Sequence, residues 1–134
     1  MIEKRPFVVA GKVMVRNAFG QYLFLKRSAT SKHFPGQWEM PGGKMDPGET
    51  MEACLLRETQ EEAGVTVRLT RVLGADEGVI AKYRLAYIIF EGVTDDDAVT
   101  LSSEHDDYTW ATPAEAEKLD LIPGIVTFVR TFSK

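Results

Sequence analysis

Three glutamates pose the chemical question. In LLRETQEEA, residues 55–63, Glu58, Glu61 and Glu62 stand at i, i+3 and i+4. At about 100° per residue, a helix through this stretch gathers all three within an arc of roughly 100°. Carboxylates so crowded repel one another, so a positive partner is expected. Their oxygens suit a hard divalent cation, Mg²⁺ or Mn²⁺. The single cysteine, Cys54, and two histidines, His33 and His105, do not group into a zinc set. Magnesium keeps water and binds substrate phosphates beside one or two protein carboxylates, which points to a phosphate-containing substrate. Gly42 and Gly43, just upstream, would let backbone groups approach such a site. The spacing also suits an ordinary surface helix, because glutamate favours helices and Arg57 can pair with Glu61 at i+4.

The elements that must position these groups are legible in outline. Thr50 to Ala63 carries helical periodicity, and Gly64 stands where a helix C-terminus favours positive φ. With Glu58 at zero, Leu55, Thr59, Ala63, Leu56 and Ala53 fall between about 60° and 220°, the apolar side expected to dock on a sheet. PFVVAGKVMV and YLFLKR, joined across Asn17–Gly20, read as a hairpin. After a loop punctuated by Pro35-Gly36, Trp38-Glu39-Met40 reads as a very short strand. VTVRLTRVLGAD, YRLAYIIFEGV and DYTWA read as later strands. Thr112-Pro113-Ala114-Glu115 is a capping box opening a helix to about Leu119, and Pro123 can open a last helix. Strands on both sides of a central helix indicate an α/β fold, one domain with a mixed sheet between helices.

The chain has 134 residues, 44% of them hydrophobic, and a net charge of −4. An acidic surface without long basic runs disfavours nucleic-acid polymers, which demand many phosphate contacts. No stretch has the length of a membrane span, and charges and Pro6 ahead of the first apolar run are unlike a secretory signal. The lone Cys54 reads as a buried packing residue in a reducing compartment, so a cytoplasmic protein is expected. Asp95-Asp96-Asp97 reads as a solvated loop.

The full pattern is more specific than the acidic triplet. Gly43, five residues, Glu49, seven residues, Arg57-Glu58, two residues, Glu61-Glu62, one residue, Gly64 and apolar Val65 resembles the signature of the Nudix hydrolases. A chance match at the seven specified positions is about one in a billion for any given register at typical residue frequencies. Thr59 stands where that signature usually has an aliphatic residue, and its methyl group can still pack. WEMPGG before the signature and DYTWATPAEAEKL after it extend the resemblance over most of residues 1–134.

The resemblance implies a Nudix-type α/β/α sandwich that hydrolyses a nucleoside diphosphate linked to another moiety with Mg²⁺ or Mn²⁺. Carried over, it implies Glu58, Glu61, Glu62 and the Gly42 carbonyl as metal ligands and Arg57 as the residue orienting the carboxylates. Glu49, Gly43 and Gly64 take structural roles. The general base is a box residue, Glu61 or Glu58, or the loop residue Glu104. His105 and His33 read as exposed loop residues. Arg27 is the candidate phosphate contact, Phe34 or Tyr83 the candidate base-stacking ring, and Trp38 and Trp110 pack. A small-molecule nucleotide, most simply a nucleoside triphosphate or its modified form, is the expected partner, and a homodimer stays open. ADP-ribose, dinucleoside polyphosphates and nucleotide sugars remain alternatives, as does a sensor module that binds nucleotide without cleaving it.

Overall fold

The computed structural model describes residue 4 and residues 6–80 and 83–134. Strands β1 (Phe7–Arg16), β2 (Tyr22–Arg27), β3 (Trp38–Glu39) and β4 (Gly42–Lys44) precede helix α1 (Met51–Ala63). Strands β5 (Arg68–Ile80), β6 (Tyr83–Val93) and β7 (His105–Ala111) follow. Helix α2 (Pro113–Ala116), a 3-10 turn (Pro123–Ile125) and helix α3 (Val126–Phe132) complete the fold. One mixed sheet carries them, in the order β3-β2-β1-β6-β5, with β4 on β1 and β7 on β2.

The expected hairpin is only a hinge. β1 and β2 meet at Arg16 and Tyr22, and beyond that point β4 takes the edge of β1 at residues 10–12 while β3 pairs with Leu25 and Lys26 of β2. The sheet therefore opens into two blades, one built on parallel β1 and β6, the other on antiparallel β2 and β7. Met40-Pro41 bridges them, and the Pro41 carbonyl accepts the Val13 N–H at 2.9 Å.

Strand alternation divides β1 between two cores. Val13 and Val15 join Leu23, Leu25, Leu55, Ala63 and Val65 under α1. Ala10 and Met14 join Phe24, Leu85, Ile89, Ile125 and Phe128 under the C-terminal helices. This gives the α/β/α sandwich. Trp38 and Trp110 pack at the margins of these cores.

Helix ends follow the capping residues. Thr50 accepts the Ala53 N–H, and Gly64 takes the left-handed conformation at φ 68° while its N–H returns to Gln60. The Thr112–Glu115 capping box is formed, yet α2 stops at Ala116, short of the expected Leu119. Lys118 and Leu119 bond back three residues, to Glu115 and Ala116, tightening the chain out of α-helical geometry. The last helix likewise begins as a 3-10 turn at Pro123. β5 starts three residues later than its apolar pattern and runs four further, to Ile80, because β6 pairs with it throughout. Asp95, Asp96 and Asp97 lie exposed outside any strand or helix. Among the described residues, no helix is long and apolar enough to cross a membrane.

Candidate active site

Helix α1 is rotated relative to its apolar pattern. Its buried residues are Cys54, Leu55, Thr59, Glu62 and Ala63, an arc from about −40° to 140° on the wheel used above. Leu56, expected inside, is 37% exposed, and Ala53 is exposed as well. The helix is thus turned about 90° toward its acidic stripe. The sheet dictates this, because Leu55 presses into the space left by Gly11 and Glu62 finds a donor in the Gly42 N–H at 2.9 Å. Thr59 is satisfied within the helix, donating to the Leu55 carbonyl at 2.7 Å.

A cavity of 340 Å³ lies against this face. Its walls include Glu58, Glu61 and Glu62 of α1, Gly42, Gly43 and Lys44 of β4, and Glu104 from the loop before β7. The opposite side is lined by Lys12, Arg27, Glu39 and Tyr87, with apolar Ile80 and Leu85. Both blades therefore contribute.

Arg57 organises the rim. Its guanidinium holds Glu49 through Nε at 2.8 Å and Nη2 at 3.0 Å, a bidentate geometry that fixes both planes. Nη1 reaches Glu58 and Glu61, each at 3.1 Å. Glu49 also accepts the Asp46 N–H at 3.0 Å, tying the turn to the helix. Hydrogen bonding to Arg57 holds the Glu49 carboxyl down at about 2 and raises Arg57 itself.

The other carboxyls move upward. Burial pushes Glu62 up to about 8, with Glu39 and Glu58 adding to the rise while Lys12 and the Gly42 N–H oppose it. Burial also raises Glu58, which faces Glu61 and Glu104. A divalent cation would reverse both shifts by favouring the charged form. The donor set fits such an ion, because Glu58, Glu61, Glu62 and the Gly42 carbonyl are all hard oxygens. Gly42 has φ 146°, and a Cβ there would strike the Gly11 carbonyl, so only glycine allows this backbone approach.

A buried constellation lies beneath, and the sequence reading missed it. Glu39 receives Lys12 Nζ on Oε1 at 2.9 Å, and Arg27 at 2.7 Å and His105 Nε2 at 2.8 Å on Oε2. Despite burial, which alone would raise it, Lys12, His105 and Arg27 hold the Glu39 carboxyl far below its ordinary range. Ionised Glu39 makes His105 Nε2 the donor, while His105 Nδ1 is buried without a hydrogen-bond partner. Expected as an exposed loop residue, His105 is instead buried at the start of β7, because Glu39 draws it inward. Glu39, Glu62 and His105 approach within 4.8 Å of one another, but three cationic or N–H donors already fill Glu39, leaving it a poor metal ligand. Lys12, a charge in the middle of the otherwise apolar run of residues 7–15, is the sequence signal for this constellation.

The substrate candidates separate. Arg27 lines the cavity, with its guanidinium committed to Glu39 and the His33 carbonyl. Phe34, at φ 49°, packs on the C-terminal core. Tyr83 stands under Lys44, whose ammonium lies 5.4 Å from the ring centre. The aromatic ring lining the cavity is Tyr87, which strand alternation puts on the same face as Tyr83.

The profile of the NUDIX domain matches residues 6–132. The chain belongs to the Nudix family. Among its Nudix relatives, the nucleoside triphosphatase NudI of Enterobacter sp. (strain 638) is 35% identical over 113 residues, spanning 76% of this chain and 80% of that one. The crystal structure of a MutT protein from Methanosarcina mazei Go1 superposes with a TM-score of 0.88 at 29% identity, covering 96% of this chain and 94% of that one. An Ap4A hydrolase from C. elegans shares the fold, with a TM-score of 0.75 at 24% identity and coverage of 94% and 95%. The Nudix signature accordingly coincides with the acidic wall of the cavity.

Proposed function

We propose that this Nudix chain, acting as one domain, is a pyrophosphohydrolase that cleaves a nucleoside triphosphate, ordinary or modified, into nucleoside monophosphate and pyrophosphate. One observation carries the reading: all three box glutamates, Glu58, Glu61 and Glu62, line a single cavity with Gly42 and Glu104. The nucleoside triphosphatase relatives support the substrate class.

Glu58, Glu61, Glu62 and the Gly42 carbonyl would hold Mg²⁺, with Mn²⁺ as a substitute. Such an ion neutralises phosphate charge and acidifies water. Arg57 keeps Glu58 and Glu61 in place through its two 3.1 Å contacts. Water oxygen attacks one phosphorus of the α–β linkage, the bridging P–O bond breaks with the electron pair going to the departing pyrophosphate or nucleoside monophosphate, and Glu104, Glu61 or Glu58 accepts the water proton. Lys44 and Arg27 supply positive charge around the phosphates. The buried Cys54, whose thiol burial pushes up to about 11, is inert and suits a reducing cytoplasm.

Incubating the protein with nucleoside triphosphates, oxidised nucleotides and nucleotide sugars in Mg²⁺, then weighing the products, tests the assignment. Pyrophosphate with monophosphate is expected, and Glu61→Gln should lower turnover at least 10²-fold with the fold intact. Full turnover by that variant would remove Glu61 from the site, and cleavage of none of the compounds would remove the enzymatic reading.

A further inference from the structure

Lys12 and Glu39 occupy the floor of the cavity, where β1 faces β3 across the opening between the blades. Their side chains are only 6% and 4% exposed. A buried ammonium requires a carboxylate partner, and two candidates lie close together, since Glu39 and Glu62 offer oxygens within 4.8 Å. Lys12 donates to Glu39 Oε1 at 2.9 Å and to the Met40 carbonyl at 3.2 Å. Glu62 accepts instead from the Gly42 N–H. The charges of Lys12 and Glu62 nonetheless act on each other.

The choice has a structural cause. Arg27 and His105 grip Glu39 Oε2 from β2 and β7, so the carboxylate plane is set and Oε1 is presented to Lys12. The Met40 carbonyl pulls the ammonium the same way. An ammonium seated on Glu62 would take the oxygen that a divalent cation needs and would repel that cation. We propose that Glu39, pinned by Arg27 and His105, is a positioning residue that holds the Lys12 ammonium away from Glu62 and thereby keeps Glu62 open to a divalent cation.

This inference rests on reading Glu62 as a metal ligand, and the experiment separates the two. Mn²⁺ binding to the nucleotide-free protein is measured by the resonance signal of the free ion for wild type, Glu62→Gln, Glu39→Gln, Lys12→Met and the Glu39→Gln/Lys12→Met double variant. Glu62→Gln should weaken binding; if it does not, the ligand reading fails first. Glu39→Gln should weaken binding about tenfold, equivalent to ~1.4 kcal/mol. Lys12→Met should bind at least as tightly as wild type, and the double variant should return to within about twofold of wild type. A crystal structure of Glu39→Gln should show Lys12 Nζ about 3 Å from a Glu62 oxygen. Net local charge alone could reproduce the binding order, so the moved ammonium is the decisive observation. Wild-type binding by Glu39→Gln, no recovery in the double variant, or Lys12 still on the Met40 side overturns the proposal. Should Glu39→Gln fail to fold, Glu39→Asp and its Lys12→Met double variant carry the same expectations.

Discussion

Replacing Glu62 by glutamine should stabilise the metal-free protein, although it removes a proposed metal ligand. Glu62 is 6% exposed, and its carboxyl is raised from 4.5 to about 8. In the fold it keeps its proton to higher pH than in the unfolded chain. Its contribution therefore favours folding fully below pH 4.5 and is lost as pH rises toward 8. From these two values, linkage removes about 3 kcal/mol by pH 7 and nearly 5 at pH 9. Glutamine cannot ionise, yet its side-chain oxygen can keep the Gly42 N–H bond. Urea unfolding in chelator at pH 5, 7 and 9 should show wild type weakening across that range and Glu62→Gln nearly level for this group. The variant should be about 3 kcal/mol the more stable at pH 7. Excess Mg²⁺ should stabilise wild type selectively, since only an ionised Glu62 completes the donor set. Parallel stability profiles for the two proteins in chelator would refute the burial argument.

Arg57→Ala should lower kcat about 10²-fold, because Glu58 and Glu61 lose the guanidinium that aligns them; steady-state kinetics with circular dichroism as a folding control checks this. Gly42→Ala should cost more than ~2 kcal/mol in chemical denaturation, since a side chain at φ 146° is strained and meets the Gly11 carbonyl. Thr112→Ala should cost about 1 kcal/mol by removing one half of the capping box, leaving turnover unchanged. Mn²⁺ binding at pH 7 should release close to one proton from Glu62, read by calorimetry in buffers of differing ionisation enthalpy.

Local rules carried far along this chain. Thr50 and Gly64 set the ends of α1 because caps depend on nearest neighbours, and the run 83–93 is the whole of β6. The spacing of Glu58, Glu61 and Glu62 put three carboxylates on one side of α1, where they line one cavity, because helical geometry alone converges them. Arg57 and Glu49 both belong to the signature, and these residues eight positions apart meet at 2.8 Å, a contact that the signature did not specify.

Other outcomes depended on what packs against what. The acidic side of α1 turned inward because Gly11 on a distant strand leaves room for Leu55, a fact absent from the periodicity of residues 50–63. The hairpin opened into blades because β3 and β4 compete for the inner edges of β2 and β1. That opening brought Lys12, Arg27, Glu39 and His105 together from four strands, with Lys12 and Glu39 separated by 27 residues and Glu39 and His105 by 66. Residue types and short spacings determine helix ends, strand runs and the acidic cluster, since those follow from local backbone geometry. Burial and charge pairing across the sheet belong to the tertiary structure alone, because desolvation and Coulomb energies depend on distances that only the folded chain defines.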